Sequence, residues 1–223
     1  MRDVTRRGLA LSLLLSGVAG YVDAIGFIDT GGLFVSFMSG NSTQAGVDLL
    51  EQGAGSVILP LTLVIAFVAG VTVGALIGGQ GKRRALAVAG SAAAVALSTA
   101  LATLAPDEPA RFWMLAFAMG ALNTLYLSEG RARVAITYAT GTLVSVGVAL
   151  AALFTGRSRS LWQRPLLLWG SLAGGAIIGA AAHRLGSGAA LLIATIVLAV
   201  VAVILAMNGR LRPSRHVTGP SAP

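Results

Sequence analysis

LFVSFMSGNSTQAGVDLLE, residues 33–51, follows a long apolar run and decides how the chain is read. It opens with a β-prone stretch, Phe34-Val35-Ser36-Phe37. It passes through a small polar turn, Ser39-Gly40-Asn41, and goes on as a helix-compatible segment to Glu51. A twin lies downstream in RVAITYATGTLVSVGVALAALFT, residues 133–155. There Val134-Ala135-Ile136-Thr137-Tyr138 precede the turn Thr140-Gly141-Thr142. If both segments cross a membrane, the chain has eight spans. If both dip in and return on the side they entered, it has six spans and two re-entrant segments.

Around these two lie six full-length apolar runs, roughly 8–28, 57–79, 85–104, 112–128, 165–182 and 189–207. The chain has 223 residues, of which 56% are hydrophobic and 11% charged, and its mean hydropathy is +0.83. A soluble domain carries roughly a quarter of its residues as charges, so lipid is the expected solvent and the bilayer the first partner. Runs of about 18 or more apolar residues read as spans. Arg2 to Arg7 followed by Leu9–Val18 has the pattern of a signal peptide. The apolar run continues to Ile28, however, and more runs follow, so a first span is the simpler reading.

Charge placement chooses between the two arrangements. With eight spans and the N-terminus inside, ten Lys and Arg face inward and six outward. With two dipping segments the split is 14 against 2, and only Arg111 and Arg184 stay outside. The positive-inside rule selects the second. The expected fold is therefore an all-α polytopic membrane protein with six transmembrane helices and two re-entrant strand/half-helix segments. It sits in a bacterial inner membrane with both termini cytoplasmic. Residues 1–207 form a single membrane domain, and 208–223 form a disordered tail rich in Arg, Pro and Ser. The net charge of +8 is spread between apolar runs, where it orients the chain and does not signal nucleic acid.

Shifting the chain by 101 residues sets Gly40 on Gly141, Gly46 on Gly147, Gly55 on Gly156, Gly74 on Gly175 and Gly78 on Gly179. Roughly two such coincidences are expected by chance, and this shift also pairs the two odd segments with each other. Each half, approximately 8–104 and 109–207, then holds three crossings. An odd number makes the repeat inverted, a plan common among secondary transporters.

Irregular backbone at membrane depth must be buried in protein or line a wet cavity. Ser39, Gly40, Asn41, Thr140, Gly141 and Thr142 are thus the expected solute-binding residues. Asn41 and Thr142 are expected as helix N-caps. Two half-helix N-termini aimed at one midplane hollow favour an anion or a strongly polar solute. A packed pair of Gly-containing breaks would explain the same residues. Asp23, inside the first run, is the candidate proton-coupling residue, because a carboxylate there is costly unless paired, hydrated or protonated. A hydrogen bond to a neighbouring segment or to interfacial water is the plainer alternative. Its counterpart lies near Asn123-Thr124. Asp48 and Glu51 are expected at the outer surface, and Glu129 beside Arg131 or Arg133. Gly70-xxx-Gly74-xxx-Gly78 and the glycines at 170, 174, 175 and 179 allow close helix packing, inside the chain or in a homodimer. No cysteine is present, and no nucleophile–base pair, metal set or cofactor motif appears, so an enzyme is not expected.

Gly20-Tyr21-Val22-Asp23-Ala24, the stretch Phe34 to Asn41, and Thr140-Gly141-Thr142 resemble the YoaK family of uncharacterised bacterial membrane proteins, with Ser39 where that family carries threonine. The resemblance implies a multi-span inner-membrane protein and brings no substrate. The expected function is transport of a small polar or anionic solute, possible proton coupling included. A passive channel and a non-transporting membrane subunit are the alternatives.

Overall fold

The computed structural model describes residues 6–77, 82–125, 127–128, 131–132, 139–155 and 162–210. The chain is built from helices α1 (Arg6–Thr30), α2 (Met38–Glu51), α3 (Ile58–Ile77), α4 (Lys82–Leu104), α5 (Ala110–Leu122), α6 (Ala139–Phe154), α7 (Gln163–Ala182) and α8 (Ser187–Arg210). A short 3₁₀ turn, His183–Leu185, joins the last two. Strands β1 (Leu127–Ser128) and β2 (Arg131–Ala132) make one two-residue antiparallel pair.

Five helical stretches are long and apolar enough to cross a bilayer: Arg6–Thr30, Ile58–Ile77, Arg83–Leu104, Gln163–Leu185 and Ser187–Asn208. Large apolar side chains such as Ile65, Leu76, Ile177 and Val203 stand exposed on them, as lipid-facing side chains do. The chain is a multi-pass membrane protein. The run expected to span at 112–128 is shorter than its composition suggests. Its helix ends at Leu122 after 13 residues, about 20 Å at 1.5 Å per residue. Residues 123–125 then turn, and Leu127–Ser128 pair with Arg131–Ala132.

Why α1 stops is clear from its last turn. Gly31 N–H donates to the Ile28 carbonyl and Gly32 N–H to the Phe27 carbonyl. Gly31 has φ +72°, so the pair closes the helix in a Schellman motif that only glycine enters without strain. The chain then reverses and runs back along α1. Residues 33–37 form no strand, and the chain bends at Val35 and Ser36. The β-prone side chains find no partner edge, and side-chain acceptors take their N–H groups instead. The matching β-prone stretch 134–138 lies outside the described residues.

The helices pair across the chain. α1 packs along α7, α3 along α5, and α4 against both α5 and α8, while α2 rests on α3 and α6 on α7. Glycines set the close approaches. A Cβ at Gly175 would overlap the Gly17 carbonyl, and one at Gly179 the Tyr21 carbonyl, so α1 and α7 run parallel. A Cβ at Gly70 would overlap the Phe117 carbonyl, and one at Gly74 would lie 3.0 Å from the Ala121 Cα, so α3 and α5 also run parallel. Thr99 and Thr195 share a hydrogen bond of 3.2 Å and Gly188 faces Thr103, so α4 and α8 run antiparallel. The small-residue stripes therefore serve contacts within the chain at Gly70, Gly74, Gly175 and Gly179.

These contacts recur with fixed offsets. Gly70 and Gly175 are 105 residues apart, and so are Gly74 and Gly179; the residues they meet on α1 and α5, Gly17 and Phe117 or Tyr21 and Ala121, are 100 apart. Likewise Gly20 approaches the Leu172 carbonyl as Gly120 approaches that of Phe67. Pro60 and Pro165, each in the first turn of its helix, share the offset of 105. The shift of 101 aligns the starts of α2 and α6, Met38 and Ala139, whereas the contacting glycines of α3 and α7 align at 105. Leu15, Val22 and Ile25 of α1, Val88 and Val95 of α4, Met119 of α5, and Leu191 and Leu198 of α8 fill the main core.

Candidate functional site

Asp23 faces the returning segment. Its Oδ1 accepts from the Val35 N–H (2.7 Å) and the Ser36 N–H (2.8 Å), and its Oδ2 from the Ser36 hydroxyl (2.9 Å). Both carboxylate oxygens are thereby engaged by donors that have no ladder to join. Asn41 does the same from the other side. Its Oδ1 accepts from the Phe34 N–H (2.8 Å), and its Nδ2 donates to the Phe34 carbonyl (2.6 Å). One amide side chain thus stands in for a paired strand. The two polar residues together fix the bend at 34–36 beside Asp23.

The expected caps are not caps. α2 begins at Met38, with Phe37 in the cap position and no side-chain cap bond. Asn41 is the fourth residue of the helix and is fully buried. Ser39 is exposed in that first turn, whereas Gly40 lies beneath rings: a Cβ there would come within 2.8 Å of Phe37 and 3.0 Å of Phe34. Phe27, Phe34 and Phe37 form a run of ring contacts at centroid distances of 4.8 and 5.4 Å. Gly40 is small to admit these rings, so the space it leaves is not open to a ligand.

In the second half, Thr140, Gly141 and Thr142 sit in the first turn of α6, which starts at Ala139. Thr142 is therefore not an N-cap either. It is buried, while Thr140 is exposed. α2 and α6 pack on different helices and share no extensive contact among the described residues. The starts of α2 and α6 thus place the same kinds of residue in their first turns. Asp48 is buried and not at the surface; its Oδ1 accepts from the side-chain amides of Gln44 (2.8 Å) and Gln52 (3.0 Å). Glu129 and its expected arginine partners lie outside the described side chains. A mostly apolar cavity of about 440 Å³ opens between α1, α7 and α8, lined by Gly17, Tyr21, Ser171, Gly175, Ile193 and others.

A second polar cluster was not singled out in the sequence. Asp29, at the end of α1, receives Arg111 Nη1 on Oδ2 (3.0 Å). On Oδ1 it meets His183 Nε2 (2.7 Å) and the Ser187 hydroxyl (2.8 Å). The ends of α1, α5, α7 and α8 therefore meet at one carboxylate. The charge count had put Arg111 on the same membrane face as the end of α1, and that shared face was the signal available.

A family profile described as "Protein of unknown function (DUF1275)" matches residues 11–204. The chain is also 34% identical over 178 residues to the UPF0700 transmembrane protein RA0705 of Rhizobium meliloti (strain 1021), covering 79% of this chain and 76% of that one. No solved structure matches it at a significant level. With the glycine-bearing helices and the Asp23 tether inside the matched region, the chain belongs to the DUF1275 family of multi-pass membrane proteins.

Proposed function

We propose that this protein is a secondary transporter of a small polar or anionic solute, built as six spans and two re-entrant segments in an inverted repeat. Both termini are cytoplasmic and the membrane is the bacterial inner one. The observation that carries the reading is the recurrence of helix contacts at offsets of 100 and 105 residues. It supports two halves that exchange partners across a two-fold axis, the plan of many transporters.

Parity supports the dipping of α2. Asp29 ends α1 and Arg111 begins α5, yet they are ion-paired. Trp113 near the start of α5 bonds Thr62 near the start of α3 through its indole N–H (3.0 Å). The end of α1 and the starts of α3 and α5 thus share a face. α3 and α4 cross between them, so α2 returns to the side it left. The first-turn hydroxyls of α2 and α6, Ser39 and Thr140, are exposed and are the proposed solute contacts. Gly40, Gly141 and Thr142 frame them. Asp23 and Asn41 hold the first frame in shape. Its donors leave Asp23 little freedom to release or take a proton without letting go of 35–36, so coupling through it would move the segment.

Purified protein in proteoliposomes, screened first for thermal shifts with small anions and polar metabolites, tests the proposal. Uptake that saturates with concentration supports it. Flux that stays linear and needs no second gradient identifies a passive channel. Absence of any flux, together with a co-purifying partner, overturns transport in favour of a membrane subunit. Unchanged pH-driven uptake in Asp23→Asn would remove the coupling role alone.

A further inference from the structure

The cluster at the outer helix ends has a property that the rest of the bundle lacks. α1 belongs with α7, and α3 with α5, through long parallel contacts. Between these two pairs, α1 and α5 meet sparsely, and Asp29–Arg111 is the ion pair that bridges them among the described residues. Side-chain exposure is 9% for Asp29, 11% for Arg111 and 25% for His183. The tie is therefore sheltered from water and little screened. Arg111 stands over the Phe112 ring, 4.2 Å from its centroid, and its Nε is buried without a partner. Asp29 sits about 9 Å beyond Asp23 along α1, from six residues at 1.5 Å each.

The geometry points to a proton-operated outer gate: Asp29–Arg111 closes the outer face between α1–α7 and α3–α5, and a proton bound by His183 opens it. This rests on the transporter reading above and adds its regulation. Neutral His183 and Ser187 hydrogen-bond Asp29 and leave its charge to Arg111. When the imidazole takes a second proton, one carboxylate faces two cations. Arg111 is then repelled by the nearby positive charge while its partner still attracts it, and the net force holding it at Asp29 falls. Imidazole is the side chain whose charge changes between about pH 5 and 8. The other charged groups at this face are Arg184, exposed beside His183, which adds to the repulsion, and Asp107 and Glu108 of the α4–α5 loop. Glu108 lies three residues before Arg111 and supplies a second carboxylate for the released guanidinium. No titratable group of α8 joins the cluster; its contribution is the Ser187 hydroxyl.

The chain has no cysteine, so spin-label pairs can be placed freely. Labels at Ile28→Cys and Pro109→Cys, both exposed, report α1–α5 separation by pulsed electron resonance in nanodiscs. The expected result is a short, narrow distance at pH 8 and a lengthening by about 5 Å at pH 5, the scale of a one-turn helix shift. A control pair at Ile28 and Ala181, across α1–α7, stays fixed. His183→Gln holds the short distance at both pH values. Asp29→Asn gives the long one at both, and Arg111→Lys keeps the pH response if Asp29→Asn does not fold. A wild-type distance that ignores pH, or a His183→Gln response equal to wild type, overturns the gate. These distances do not depend on any solute. A fixed distance alongside saturable uptake removes the gate and spares the transporter; a pH-driven distance without uptake does the reverse.

Discussion

Replacing Asp23 by alanine strips the returning segment of its acceptors. Val35 and Ser36 would each be left with an unpaired N–H at membrane depth, since both now donate to Asp23 Oδ1. An orphaned buried donor costs about 1–3 kcal/mol, so the two together weaken the 33–37 segment by about 2–6 kcal/mol. Asparagine tests the same site more gently. Its Oδ1 can keep both N–H bonds, and the Ser36 hydroxyl, which now donates to Oδ2, can turn to accept from the new amide. The loss is then that of the negative charge, about 1–2 kcal/mol. Hydrogen–deuterium exchange of a peptide covering residues 33–37 reads the difference directly. At about 1.4 kcal/mol per tenfold, Asp23→Ala speeds exchange at least about thirty-fold. Asp23→Asn speeds it by about five- to thirty-fold, and by less than the alanine variant in the same experiment. Exchange in the alanine variant within threefold of wild type, or equal losses in both variants, would refute the tether and return Asp23 to the role of a freely titrating group.

Three further outcomes follow from the packing and the topology. Gly175→Ala drives a Cβ into the Gly17 carbonyl and lowers stability by about 1–3 kcal/mol in a detergent unfolding titration; Gly70→Ala, its repeat mate against Phe117, costs a similar amount, and a difference above about 2 kcal/mol between them would break the equivalence. Gly147→Ala on α6 meets nothing within 4 Å and is neutral or stabilising by up to about 1 kcal/mol in the same titration. Single cysteines at Arg83 and Asp107, probed with an impermeant maleimide, should label only from the cytoplasmic and only from the outer side respectively; the opposite pattern removes the six-span arrangement and the parity argument with it.

Much of this was readable from residues alone. Apolar length and charge placement marked the chain as multi-pass, and the cost of a carboxylate inside the first run singled out Asp23. What could not be read is what long-range geometry supplies. Nothing local tells that Asn41 would turn back on Phe34 and not cap its own helix, because the amide can serve either set of backbone groups. Gly40 resembled an open approach until the rings of Phe34 and Phe37 occupied the space. The offsets between matching helix contacts differ along the chain for a countable reason. From the start of α2 to the start of α3 is 20 residues (38 to 58) and from the start of α6 to the start of α7 is 24 (139 to 163), so no single shift aligns everything. The Asp29 cluster joins residues up to 158 positions apart, and only the fold brings them together.

Because α1 takes α7 as its main helical neighbour, it is made more than a hundred residues before its mate. Its glycine-lined flank must spend that interval against lipid or an insertase. Two halves made as separate polypeptides could assemble only by exchanging these flanks. Truncation before α7 would strand α1, leaving a substrate for membrane proteases in place of a whole transmembrane bundle.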